Sequence, residues 1–169
     1  GKRLGSYGHI GCFSCYPTKN LGAIGDAGLI TSNSEELAQK IKMLREYGWQ
    51  DRSSIYSGRN SRLDELQAAI LRVKLRHLDS DNQKRIKIAD FYYEKLSSLP
   101  LELPLIGSRV APVFHLFVIK VKDRDKLHSF LKKEGISAGI HYKLAVHQQP
   151  AYKNRVLISS DMTVTEGIV

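Results

Sequence analysis

Seven glycines fall within the first 28 residues: Gly1, Gly5, Gly8, Gly11, Gly22, Gly25 and Gly28. A stretch this rich in glycine turns tightly and lets backbone approach a ligand closely. Two short apolar runs interrupt it. Ile10 to Ser14 reads as a buried strand end, and Ala27 to Thr31 reads as a second strand.

From the end of the first run toward the second extends Phe13-Ser14-Cys15-Tyr16-Pro17-Thr18-Lys19-Asn20-Leu21-Gly22. Pro17 fixes the backbone just ahead of Lys19. Ser14 and Thr18 offer hydroxyls, and the glycines leave backbone amides open. That combination suits a phosphate held beside an amine. An amine that attacks a carbonyl must first lose its proton, which desolvation or a nearby cation promotes. The same residues also suit a surface lysine on a turn. The glycine spacing here is G-x-x-G-x-x-G, not the dinucleotide-binding G-x-G-x-x-G, and the P-loop pattern is absent.

Beyond this segment the periodicity turns helical. Asn33 or Ser34 caps a helix carrying Leu37, Ile41 and Leu44, which Gly48 stops. A loop runs from Trp49 to Asn60. Ser61 is expected to cap the next helix, with Leu63, Leu66, Ile70 and Val73 as its apolar stripe. A third helix is expected over about Gln83 to Leu96, with Ile86, Ala89, Tyr93 and Leu96 facing inward. Pro100, Pro104, Gly107 and Pro112 then mark a loop region. Phe114 to Val121 alternates as a strand, Asp123 starts a helix with Leu127, Phe130 and Leu131, Gly135 ends it, and Ile136 to Tyr142 reads as another strand. The tail from Ser159 shows no periodicity. The pattern predicts an α/β chain with a small second domain joined through the long helix.

Charge narrows the partners. Lys and Arg number 26 against 17 Asp and Glu, for a net +9. The basic residues are scattered over the helices, as in Lys40, Lys42 and Arg45 or Arg72, Lys74 and Arg76, so no nucleic-acid partner is expected. With 42% hydrophobic residues a packed core is available. No apolar run approaches membrane-spanning length, and no signal peptide is visible, so the expected location is cytoplasmic, away from membranes. The first residue is Gly1 rather than Met, and a start inside a longer protein is expected. Cys12 and Cys15 have no second ligand pair and are read as small, buried, reduced residues; no metal site is expected.

Three motifs in order resemble one family. Gly8 to Gly22, continuing through Gly25-Asp26-Ala27-Gly28, resembles the Schiff-base segment of the DegT-type sugar-nucleotide aminotransferases. Gly58-Arg59-Asn60-Ser61-Arg62-Leu63-Asp64-Glu65-Leu66-Gln67-Ala68-Ala69 resembles the family's G-x-N-x-R…QAA segment. Gly139-Ile140-His141-Tyr142, followed by His147-Gln148-Gln149-Pro150-Ala151-Tyr152, resembles its late substrate-pocket segment, and His115 to Ile119 resembles a strand of its small domain. The wording around Asn60 to Asp64, with Ile70 to Leu75, is most similar to the branch acting on dTDP-3-oxo-6-deoxyhexoses.

The resemblance implies part of a pyridoxal-phosphate (PLP) transferase fold. Residues 1–80 would form the C-terminal part of the large PLP-binding domain, and residues 81–169 the linking helix and a truncated small domain. Lys19 would hold PLP as a Schiff base and Ser14 would bind its phosphate. Asn60 would reach the phosphate in a neighbouring subunit's site, making a homodimer with shared active sites. His141, Tyr142 and His147 would line the sugar side, although for both histidines a satisfied loop or core residue is the alternative. Arg62 and Lys143 would help hold the diphosphate. The activity implied is PLP-dependent transamination of a nucleotide-linked keto-sugar with glutamate as donor, in deoxysugar and cell-surface polysaccharide synthesis. The resemblance also places the acid that pairs with the pyridine nitrogen, and the side chain that stacks on the ring, outside this chain. The chain is therefore expected to be an inactive fragment, and a non-catalytic or regulatory remnant of the fold is the alternative.

Overall fold

The computed structural model describes residues 1–153 and 155–169 and is mixed α and β. Its elements, in chain order, are β1 (Gly11–Ser14), β2 (Gly28–Thr31), α1 (Glu35–Leu44), β3 (Trp49–Gln50), β4 (Ser53–Ser54), α2 (Glu65–Leu75), α3 (Leu78–Leu96), α4 (Arg124–Lys133) and α5 (Thr163–Glu166). A single 3-10 turn covers Val146–Gln148. The chain divides into two compact units inside α3. One comprises Gly1–Phe91 with Arg109–Leu116, and the other Tyr92–Ser108 with Phe117–Val169.

In the first unit β1 and β2 pair antiparallel, Gly11 opposite Thr31 and Ser14 opposite Gly28. The expectation of a buried strand end fails along most of β1. Gly11 is buried, but Cys12, Phe13 and Ser14 are exposed, as is all of β2. A two-stranded ladder leaves both faces open unless another layer covers them. Gly11 is obligatory, since a Cβ there would lie 2.3 Å from the Gly5 carbonyl oxygen. The core of this unit is small: Cys15, Ala23 and Leu71, with Leu21, Ala27 and Leu63 packed against it.

Helix α1 forms as its sequence predicts. Ser34 accepts a hydrogen bond from the Leu37 N–H at 3.2 Å, Glu35 and Glu36 lie in the first turn, and Lys42 lies in the last. The loop expected from Trp49 to Asn60 contains a miniature hairpin, β3 with β4. Its turn residues Asp51 and Arg52 both adopt positive φ, at 48° and 63°.

Helix α2 departs from expectation at its start and in its buried face. Ser61 does not cap it. The Ser61 N–H donates to the Arg45 carbonyl at 2.8 Å, so residues 59–61 remain bound to the end of α1, and the cap position falls at Asp64. In the expected stripe, Leu66 and Val73 are 70% and 55% exposed, whereas Leu71 is buried. Helix α3 starts at Leu78, five residues earlier than expected. Its inward residues are those predicted: Ala89 is buried, and Ile86, Tyr93 and Leu96 are half-buried.

In the second unit α4 forms over the predicted residues, with Gly135 at φ 75° just past its end. The two strands expected on either side of it do not form. Phe114 sits at φ 47°, which interrupts an extended run at its first residue. From 114 to 121 the only pairing among the described residues is a single bridge, Lys120 with Glu102. Residues 136–142 join no ladder among the described residues. Alternation sets which face a strand presents, but a strand also needs a neighbour to complete its hydrogen bonds. The tail read as aperiodic contains the short helix α5.

Candidate active site

Lys19 sits at the tip of a loop whose two ends are tied together. The Cys15 N–H donates to the Ala27 carbonyl at 2.8 Å, and the Ala23 N–H donates to the Cys15 carbonyl at 2.9 Å. Between these ties, the Lys19 N–H closes a turn on the Tyr16 carbonyl at 2.8 Å. Gly22 lets the chain double back, because a Cβ there would lie 2.4 Å from the Pro17 carbonyl oxygen. Cys15 is 2% exposed and anchors the loop in the small core.

Lys19 lines an open pocket of about 580 Å³. Its apolar walls come from Phe13, Leu21, Leu29, Leu78 and Val113, and its polar groups include Ser14, Asn20, Asn82 and His115. No Asp or Glu is among the described residues that line it. Lys19 Nζ lies 3.4 Å from His115 Nε2. The Ser14 hydroxyl accepts from the Tyr16 N–H at 3.3 Å, which keeps its own proton available for a ligand oxygen. Asn20 donates to Asn82 Oδ1 at 2.8 Å and to the Val113 carbonyl at 3.1 Å. Its buried Oδ1 has no partner among the described residues.

Nothing in the sequence pattern points to a pocket role for Asn20, Asn82 or His115. They lie up to 96 positions from Lys19, and the structure brings them together through α3 and the segment Arg109–Leu116. Arg85 on α3 holds that segment by donating to the Phe114 carbonyl at 3.4 Å. An internal hydrogen-bonded position next to a lysine leaves no periodic trace in sequence.

Asn60 and Arg62 form a separate cluster and do not line the Lys19 pocket. Arg62 Nε donates to Asn60 Oδ1 at 3.2 Å, its guanidinium reaches the Tyr47 hydroxyl at 3.3 Å, and it lies 3.9 Å from Glu46 Oε1. The guanidinium also lies over the Tyr47 ring at 5.5 Å, and Tyr47 in turn packs on Trp49. Asn60 is thus oriented by its neighbour and exposed.

The remaining predicted site residues belong to the second unit. The rings of His141 and Tyr142 meet edge to face, with centroids 5.3 Å apart, and both residues are exposed. His147 differs. Its side chain is 9% exposed, and its Nε2 lies 2.8 Å from Glu166 Oε1. Lys143, also expected at the diphosphate, is exposed.

Known proteins are similar to the chain in sequence and structure. Over 153 residues the chain is 48% identical to dTDP-3-amino-3,6-dideoxy-alpha-D-galactopyranose transaminase of Aneurinibacillus thermoaerophilus, covering 90% of this chain and 42% of that protein. It is 41% identical over 170 residues to the erythromycin biosynthesis sensory transduction protein EryC1 of Saccharopolyspora erythraea, covering 99% of this chain and 46% of that protein. The crystal structure of Streptomyces venezuelae DesV in complex with a ketimine intermediate superposes with a TM-score of 0.93 at 42% identity, over 99% of this chain and 46% of DesV. The chain spans less than half the length of the curated relatives it matches. With the matching family model covering residues 1–169, the chain belongs to the DegT/DnrJ/EryC1/StrS aminotransferase family.

Proposed function

We propose that this chain carries the lysine-bearing part of a PLP-dependent aminotransferase acting on a nucleotide-linked keto-sugar. The observation that carries the reading is Lys19 lining a pocket of about 580 Å³, at the tip of a loop pinned at both ends. Pockets for small cofactors fall in this size range and combine apolar walls with few polar groups. The residues present fit the cofactor: an amine for its aldehyde, the Ser14 hydroxyl for its phosphate, and apolar side chains such as Phe13, Leu29 and Val113 for its ring. When bound, the cofactor supplies an electron sink for the carbon being deprotonated.

The chain's own groups divide the remaining work. Lys19 holds the cofactor and, once released, moves the proton at the reacting carbon. Ser14 donates its hydroxyl proton to the phosphate. Asn60, exposed and oriented by Arg62, reaches the phosphate of a partner subunit in a homodimer. His141 and Tyr142 contact the sugar, His147 belongs to the same side, and Arg62 with Lys143 meets the diphosphate. The amino donor is glutamate, and the enzyme works in the cytoplasm; no helix among the described residues is long and apolar enough to cross a membrane. The test is chemical. After incubation with PLP and reduction with borohydride, a stable pyridoxyl group should be recovered on Lys19 by peptide mass mapping. Recovery on other lysines without preference for Lys19 overturns the reading.

The name of EryC1 supports a second reading, in which the chain serves a regulatory role without turnover. The two readings separate on whether a complete catalytic assembly containing Lys19 converts a keto-sugar nucleotide.

A further inference from the structure

Gln67, Leu71 and Lys74 follow one another along α2 at i, i+4 and i+7, and so share one face of the helix. All three meet the segment that returns from Lys19. Gln67 Oε1 accepts from the Ile24 N–H at 2.9 Å and from the Gly25 N–H at 3.2 Å. Leu71 shares the buried cluster with Ala23 and Cys15. Lys74 Nζ donates to the Gly22 carbonyl at 2.5 Å. Residues 22–25 therefore have partners for two N–H groups and one carbonyl on a helix 42 or more positions away in sequence. Gly25 is close-fitted as well, since a Cβ there would lie 3.1 Å from Gln67 Nε2.

These contacts bear on Lys19 because the loop is short and tied. Ala23 hydrogen-bonds Cys15 across the base of the loop, and Gly22 packs on the Pro17 carbonyl, so residues 22–25 cannot shift without moving the turn that carries Lys19. We propose that this face of α2 positions Lys19, with Gln67 as the principal positioning residue and Lys74 as its companion. Gln67 touches neither the Lys19 amine nor the pocket; it acts through backbone. The inference rests on the cofactor reading of Lys19 given above. A neutral amide accepting two N–H groups has an obvious substitute in glutamate, which keeps the acceptor oxygen, and an obvious disruption in leucine, which keeps the bulk and removes it.

The experiment compares the unaltered chain with Gln67→Leu, Gln67→Glu and Lys74→Met. Backbone amide exchange at Ile24 and Gly25 reads the clamp, and the share of borohydride-trapped pyridoxyl label on Lys19 relative to all other lysines reads its consequence. Both are measured at a temperature where the far-ultraviolet circular dichroism of the chains coincides. Gln67→Leu should speed exchange at the two amides about fivefold and cut the Lys19 share by about tenfold. Gln67→Glu should keep both within about twofold of the unaltered chain, and Lys74→Met should lower the Lys19 share in the same direction as Gln67→Leu. If Gln67→Leu does not fold, equal label shares in Lys74→Met and the unaltered chain overturn the proposal. Faster exchange with an unchanged Lys19 share overturns it too, as does unchanged exchange. Label spread without preference in the unaltered chain sinks the cofactor reading instead, and exchange at Ile24 and Gly25 still decides whether Gln67 holds the loop.

Discussion

Cys12 and Cys15 stand three positions apart on one short segment and occupy opposite environments. Cys15 is enclosed, and burial pushes its thiol above the ordinary value, which holds it in the unreactive protonated form. Cys12 is exposed. Brief treatment with iodoacetamide near neutral pH should therefore modify Cys12 at least about tenfold faster than Cys15, as read by mass mapping of the tryptic peptide. Equal rates would show that the Cys15 anchor of the Lys19 loop opens readily. The sequence reading buried both thiols, because a C-x-x-C without further ligands carries no sign of which side faces inward. Ser14 and Lys19 stand out in the sequence because amine, hydroxyl and glycines lie within a few residues, and both line one pocket. Gln67 was visible only as part of a motif, since its partners lie more than 40 positions upstream.

Among the elements, α1 and α4 were readable because their own residues determine them: a capping position, an amphipathic stripe and a stop. For α1 this gives a direct expectation. Ser34→Ala removes the side-chain acceptor of the Leu37 N–H and should cost about 1 kcal/mol, whereas Ser34→Asp should retain the cap. Urea unfolding of both variants checks this, and a Ser34→Ala change within error of zero would show that α1 is not part of the cooperative unit. The elements that were misread depend on partners. The expected stripe on α2 is Leu63, Leu66, Ile70 and Val73; Leu63 packs on the core, but Leu66 and Val73 are exposed, and the face that meets the Lys19 loop is polar at both ends, Gln67 and Lys74, with Leu71 between. Those polar groups bind backbone, and hydrophobic periodicity is blind to that. Residues 114–121 alternate like a strand and 136–142 read as one, but no neighbouring strand among the described residues completes their hydrogen bonds.

For the whole molecule the decisive quantities are surface and pocket lining. The chain exposes 14207 Å², whereas two separate compact bodies of half its mass would together expose about 10,000 Å². Among the described residues the fully buried hydrophobics are few, namely Cys15, Ala23, Leu71, Ala89 and Ala145, and Leu105 and Leu157 are fully open. Apolar exposure of this extent marks surface that a further layer of protein would cover. On the cofactor reading proposed above, Lys19 would supply the amine and a carboxylate beside the ring nitrogen would keep the electron sink protonated, yet no described Asp or Glu lines the pocket. The 169-residue chain alone, given PLP, glutamate and a dTDP-keto-sugar, should therefore show turnover at least about a thousandfold below that of a whole family member. Trapped label should still accumulate on Lys19, because imine formation needs the amine and not the missing carboxylate. Chromatographic detection of amino-sugar nucleotide, run beside the labelling assay, separates the two properties. Clear turnover by this chain alone would mean that an acid reaches the pocket from elsewhere in the assembly, for example from a second copy of the chain.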